Sequence, residues 1–293
     1  MQLSVSSYSF AQYLKKGKMT LLETIDAAAE IGFAGIEFID LPKELSKTEK
    51  LELAAALRER AAQKGIAMVA YTVGADLWQP DPVAREAELE RLCDQVDVAV
   101  ALGAPVMRHD LVRKLDRTGA GRSFLGMMPT LAENVRVVAD YAARCGVKTC
   151  SENHGFVAQD SYRMEQFMTL VAHDNYGMLV DMGNFLCVDE DPAAAVSRVA
   201  NFAVHAHAKD MLICPPSTDG GKGIIVTRGA MGLKPTAIGR GSVPVARCLK
   251  ILQRAGYDGW VSLEYEGRAD CLAAIRDSFR RLSEMLGLDT TVS

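Results

Sequence analysis

The sequence contains no run approaching the roughly 20 consecutive apolar residues that a membrane-spanning helix needs, so no membrane partner is expected. It has no basic surplus either. Its 33 Lys and Arg residues face 37 Asp and Glu residues, giving a formal charge of -4. Without a basic stripe there is no electrostatic footprint for a phosphate backbone, which argues against nucleic acid as a partner. No CxxC pair occurs. The seven cysteines (Cys93, Cys145, Cys150, Cys187, Cys214, Cys248 and Cys271) are odd in number and scattered, and read as reduced thiols buried as small hydrophobes. No GxGxxG or GxxxxGK[ST] turn follows any candidate strand, which weakens a dinucleotide or P-loop reading. Met1 runs straight into an alternating apolar stretch with no basic flank, so no secretory leader is expected and the cytoplasm is the expected compartment.

What is present is a repeated alternation of a short apolar run with a longer amphipathic one. Strands are expected at 3–10, 35–39, 66–73, 105–109, 147–153, 177–182, 202–209 and 259–265. Helices are expected at 21–31, 48–64, 82–102, 129–145, 162–173, 192–201, 245–255 and 271–286. Thr20 is placed to cap the first helix, and Asp81-Pro82 and Asp191-Pro192 each pair a cap with proline at the first helical position. Gly146 and Gly256 stand where helices stop. Eight strand–helix units in strict alternation imply a parallel sheet with right-handed crossovers. In a chain of this length they predict one α/β domain over 1–293, a closed (β/α)8 TIM barrel rather than an open sheet.

One connection breaks the rhythm. Residues 211–242, between the seventh strand and seventh helix, are dense in Gly and Pro. Loops longer than about 15 residues are usually functional lids or disordered. This one leaves the C-terminal end of a barrel strand, where such barrels place their chemistry.

The last four strands each end in side chains that can bind a metal. SENHG brings Glu152 and His154, LVDMGNF brings Asp181, VHAHAKD brings His205 and His207, and SLEYEG brings Glu264 and Glu266. Side chains at i and i+2 share a strand face, so each pair can point the same way. Carboxylates converging on one barrel end repel each other unless a cation sits among them. An oxygen-rich set with one imidazole suits Mn2+ first, with Mg2+, Co2+ or Zn2+ as alternatives. His205 lies deeper in its strand than His207 and is expected to be a buried, hydrogen-bonded support. Arg108 and Asp110 flank His109 at the end of the fourth strand, and Glu37 ends the second. With Lys209, Arg228 in VTRGA and Trp78 after the third strand, Arg108 and Glu37 are candidate substrate contacts. Asp210 is expected to support the ligands from behind.

The segments YSF, GFAGIEF, SENHG, VDMGNF, HAHAKD and GYDGWVSLEYEG together resemble the xylose isomerase-like TIM barrels, a group of sugar phosphate isomerase/epimerase-like proteins. The likeness covers nearly the whole chain. It implies a tetrad of metal ligands at Glu152, Asp181, His207 and Glu264, and a metal-dependent keto-sugar isomerase or epimerase that takes a proton from beside a carbonyl. Glu152 and Glu264 would then serve as base and acid, with His154 binding a hydroxyl or acting as a base. The implied partner is a small sugar, with a homo-oligomer as one assembly. The long loop and GRGSVPVARCLKILQRAGYDG also look like a lyase branch, the catalytic subunits of C-glycoside deglycosylases. These act on 3-keto glycosides by β-elimination and pair with a small β-rich subunit. Five histidines and a negative charge argue against the family's nuclease branch, and the intact tetrad argues against a non-enzymatic sugar-binding protein.

Overall fold

The computed structural model describes residues 1–215, 221 and 223–288. Residues 216–220 and 222 of the long loop, and 289–293 at the end of the expected domain, lie outside the described residues. In chain order the strands are β1 (Gln2–Ser6), β2 (Gly35–Ile39), β3 (Ala67–Val73), β4 (Val106–His109), β5 (Lys148–Glu152), β6 (Tyr176–Asp181), β7 (Ala203–Ala208), β8 (Asp210–Cys214), β9 (Ile225–Val226), β10 (Gly232–Thr236) and β11 (Trp260–Leu263). The helices are α1 (Ala11–Leu14), α2 (Leu21–Ile31), α3 (Lys47–Lys64), α4 (Pro82–Leu102), α5 (Phe124–Arg144), α6 (Ser161–Val171), α7 (Pro192–Val199), α8 (Val245–Arg254) and α9 (Cys271–Leu286). Strands β1 to β7 and β11 close into a parallel barrel. The expected (β/α)8 TIM barrel is therefore the observed fold.

Local chemistry explains the helix starts. Thr20 and Glu23 form a reciprocal capping box at α2, and Ser46 and Glu49 form another at α3. Asp81 caps α4 ahead of Pro82. Two boundaries and the long loop differ from expectation. The first strand stops at Ser6, because its hydroxyl accepts the Tyr8 N–H and turns the chain into a short 3-10 helix over Ser7–Phe10. Helix α5 starts at Phe124, capped by Ser123, so Pro129 lies inside it rather than at its first position. Pro129 is the sixth residue of that helix and has no N–H to offer the Leu125 carbonyl. The long loop is not structureless. β8, β9 and β10 form a separate antiparallel sheet in the order β8-β10-β9.

Two irregularities matter for the site. The pairing of β6 with β7 shifts register between Met178 and Leu179, which face Ala203 and His205 and leave Val204 as the extra residue. This bulge brings His207 level with Asp181. Gly177 makes it feasible, since a Cβ there would stand 2.5 Å from Val204 Cγ1. The second shift, between Ile36 and Glu37, similarly offsets β2 against β3.

The barrel wall also holds a buried titratable group. His109 on β4 is fully buried and lies against Tyr176. Its Nδ1 donates to the Asp110 carbonyl, while Nε2 has no partner among the described residues. Protonating Nε2 would bury an N–H without an acceptor, and burial pulls this imidazole down to about 4 from 6.5. Because the folded-state value is depressed, the stability that neutral His109 allows is present above pH 6.5 and is lost as pH falls toward 4. Between pH 7 and about 4.5 the group should account for a loss of about 2 kcal/mol. Urea unfolding of the wild type and of His109→Gln at both pH values checks this: the variant should lose less on acidification, and parallel losses would contradict the assignment.

Candidate metal centre

The tops of β5, β6, β7 and β11 bring four donors together. Glu152, Asp181, His207 and Glu264 each offer one atom, all within 4.8 Å of one another. His207 Nδ1 lies 4.0 Å from Glu152 Oε1, 3.7 Å from Asp181 Oδ2 and 3.6 Å from Glu264 Oε2. All four side chains are nearly closed off from solvent. Asp181 Oδ2, His207 Nδ1 and Glu264 Oε2 make no well-directed hydrogen bond among the described residues, and the Lys209 ammonium, 3.3 Å from Asp181 Oδ2 and 2.5 Å from Glu264 Oε2, is the positive charge beside the two carboxylates. Orphaned buried polar atoms are costly and rare. Three carboxylates and an imidazole converging on one point, with a single ammonium beside them, are what a divalent cation would satisfy, so these residues fit such an ion.

The remaining atoms of these ligands are fixed from behind. Asp181 Oδ1 accepts the N–H groups of Gly183 and Asn184, each at 2.8 Å. Glu152 Oε1 accepts from Asn184 Nδ2 at 2.8 Å, and its Oε2 meets Arg108 Nη2 at 2.6 Å. His207 Nε2 lies 2.9 Å from Glu37 Oε1, and Glu37 Oε2 meets His205 Nε2 at 2.7 Å and Ser262 Oγ at 2.9 Å. A carboxylate at Nε2 draws the ring proton there and leaves the Nδ1 lone pair facing the cluster. Burial alone would push Glu37 up. The two imidazoles outweigh it and hold this carboxyl well below the usual range.

On the outer side, Arg108 Nη2 also contacts Asp110 Oδ1 at 2.7 Å, and Asp110 Oδ1 meets His154 Nδ1 at 2.8 Å. Burial opposes the Asp110 charge, but Arg108 and His154 bring its carboxyl down to about 2. The His154 side chain is 48% exposed at the mouth. Burial of part of the ring lowers its pKa, yet the bond to Asp110 and the charge of Glu152 raise it overall. Lys209 enters from above. Its Nζ lies 2.5 Å from Glu264 Oε2, 3.3 Å from Asp181 Oδ2, 3.4 Å from Glu266 Oε1 and 3.2 Å from Asn184 Oδ1. Burial opposes this ammonium as well, and the surrounding carboxylates hold its pKa well above the ordinary lysine value.

Several expected positions differ. Glu37 does not line the mouth. It is fully buried, two residues short of the top of β2, and buttresses His207 from below together with His205. Asp210 turns away from the ligands: its carboxylate accepts the N–H groups of Gly239, Gly241 and Val243 and staples the return of the long loop. Arg228 folds onto the segment after β5, pairing with Asp160 Oδ2 at 3.1 Å and with the Phe156 carbonyl. Trp78 packs against the barrel core, and its indole N–H donates to Asp116 at 2.6 Å. Neither Arg228 nor Trp78 joins the cluster. Sequence reasoning passed over Asn184, which links Glu152, Lys209 and, through its carbonyl, Gln159. It lies in VDMGNF, three residues after Asp181, but an amide in a turn carries no chemical signature of its own.

A closed barrel with a carboxylate–histidine cluster at the C-terminal ends of its strands defines a class of barrels built around a metal-competent mouth. Within it, this chain belongs to the xylose isomerase-like TIM barrel family, whose model matches residues 25–285. Inosose dehydratase from Lacticaseibacillus casei is 25% identical over 137 residues, covering 46% of this chain and 46% of that protein. The chain thus spans about half the length of the curated relatives it matches. D-psicose 3-epimerase from Clostridium cellulolyticum H10, crystallised with D-tagatose, superposes with a TM-score of 0.74 at 19% identity, over 98% of this chain and 99% of that one. A xylose isomerase-like TIM barrel protein from Mycobacterium smegmatis in complex with magnesium gives a TM-score of 0.70 at 18% identity, over 97% and 96%. At these identities the two structures speak to the fold alone. No helix among the described residues is long and apolar enough to cross a membrane.

Proposed function

We propose that this protein is a divalent-metal-dependent keto-sugar isomerase or epimerase that removes a proton from the carbon beside a carbonyl. The observation that carries the reading is the convergence of one donor atom each from Glu152, Asp181, His207 and Glu264, all within 4.8 Å of one another. A divalent ion held by these four side chains would supply the positive charge that lowers the cost of the oxyanion left when the proton departs. Every other task falls to the chain's own groups. His154, half exposed at the mouth and oriented by Asp110, is placed to take the proton. Arg108 and Asn184 hold both oxygens of Glu152, so that carboxylate is better placed to fix geometry than to move a proton. On the other side, Lys209 sits against Glu264 and can hold a substrate hydroxyl or return a proton through it.

One observation favours a second reading, a lyase. With both Glu152 oxygens engaged, the base lies on one side of the site. Abstraction beside a carbonyl from one side also serves elimination of water or an aglycone from the next carbon. The inosose dehydratases among the relatives support that outcome, and a deglycosylase acting with a small β-rich subunit is one form of it. The two readings separate by running candidate ketohexoses, keto-inositols and 3-keto glycosides in deuterated water with Mn2+ present. An isomerase or epimerase should return sugar carrying deuterium beside the carbonyl. A lyase should release water or aglycone, and absence of both outcomes across the panel would contradict proton abstraction itself.

A further inference from the structure

The Lys209 ammonium and the proposed ion draw on the same atoms. Glu264 Oε2 and Asp181 Oδ2 belong to the set of four converging donors, and they are also the carboxylate oxygens nearest Lys209 Nζ, at 2.5 and 3.3 Å. The approach is built in. The Lys209 stem crosses the turn after β6, where a Cβ on Gly183 would stand 3.0 Å from Lys209 Cβ and 3.1 Å from its Cγ. Any larger residue at 183 would crowd the lysine out of this path. Two further acceptors lie beside Nζ, Asn184 Oδ1 at 3.2 Å and Glu266 Oε1 at 3.4 Å. Neither Asn184 nor Glu266 is among the converging donors.

We propose that Lys209 is a built-in competitor for the divalent ion: it neutralises Asp181 and Glu264 until the ion takes those oxygens, and then turns to Asn184 and Glu266. Two positive charges cannot share a carboxylate oxygen at hydrogen-bond and coordination distances without strong mutual repulsion in so buried a place. The arrangement keeps three like-charged carboxylates in place before the ion arrives. It also lowers the ion's affinity below what the four ligands alone would give. After the exchange, the ammonium stands beside the ion with one N–H left for a substrate oxygen, so that the place of Lys209 reports on metal occupancy. This inference rests on the reading of Glu152, Asp181, His207 and Glu264 as ligands.

The test compares Mn2+ binding, by calorimetry on chelator-stripped protein, in the wild type and in Lys209→Met, with melting temperatures in EDTA and in saturating Mn2+. Losing the competing charge should tighten Mn2+ binding by on the order of tenfold or more. The melting temperature in EDTA should fall, and the rise produced by Mn2+ should exceed that of the wild type. Equal or weaker Mn2+ binding in Lys209→Met would overturn the proposal. Should that variant not fold in EDTA, Lys209→Gln keeps a neutral hydrogen-bond donor at the position and must show the same tightening. Asp181→Asn in the wild-type background separates the two levels: if it leaves Mn2+ binding unchanged, the ligand reading itself fails, whatever Lys209 does.

Discussion

Replacing His154 by Gln should lower kcat by about 100- to 10,000-fold, the range found for loss of a positioned general base. The imidazole is a titratable group at the mouth that is half open to solvent and also oriented by a partly buried carboxylate, Asp110, at 2.8 Å. Asp110 is in turn fixed by Arg108 at 2.7 Å, and the same guanidinium nitrogen reaches Glu152 at 2.6 Å. His154 and the four converging donors therefore share one support. Glutamine fills much of the same space and can still bond to Asp110, so the fold and the bound ion should persist while proton transfer is lost. A base must be neutral to act, so wild-type kcat/KM should fall on the acid side as His154 takes up its proton. That limb should disappear in the variant. The measurement is a pH profile of both proteins with metal content determined in parallel. A loss of less than tenfold at unchanged metal content would remove His154 from the chemistry.

The second large effect is expected at Glu37, which lies behind His207 and outside the set of four converging donors. Glu37→Gln should weaken divalent-metal binding by about 10- to 100-fold, as is typical when the carboxylate behind a ligand histidine is lost. The carboxylate lies 2.9 Å from His207 Nε2 and 2.7 Å from His205 Nε2, on the side of the His207 ring away from the four converging donors. Glutamine preserves the shape but can present an N–H to the imidazole, which would favour the wrong tautomer. Removing the group entirely would break a buried charge network at a cost of about 3–5 kcal/mol and confuse folding with binding, so the isosteric change is the informative one. Mn2+ titration followed by calorimetry, with melting curves as a control, makes the comparison. Unchanged affinity would show that Glu37 is only a structural buttress.

Much of this architecture is legible in the sequence because it is written locally. Hydrophobic alternation, capping boxes such as Thr20/Glu23 and Ser46/Glu49, and glycine stops give the strand and helix order directly. The candidates for the four converging donors are legible for a related reason, since each lies at the end of a strand that can be recognised on its own, and the family resemblance selects Glu152, Asp181, His207 and Glu264 among them. What could not be read depends on contacts between distant segments. Glu37 meets His205 across 168 positions, and only barrel closure and the stagger of β2 place it beneath His207 rather than at the mouth. The bulge at Val204 levels His207 with Asp181 through a pairing that neither strand encodes alone. Asp210 looked like a neighbour of the ligands by spacing. Its carboxylate is claimed instead by three amides 29 to 33 positions away, once the long loop folds into its own sheet. Arg228 was expected at the pocket by its charge, but Asp160 and the Phe156 carbonyl capture it first.

The central claim is that one divalent ion is held jointly by Glu152, Asp181, His207 and Glu264. Its most direct test is a Mn2+ titration of chelator-stripped wild type and Asp181→Asn, with bound metal counted after gel filtration. One ion per chain is expected in the wild type and loss of stoichiometric binding in the variant, with both proteins folded. Equal binding by the two proteins, or none by the wild type, would contradict it.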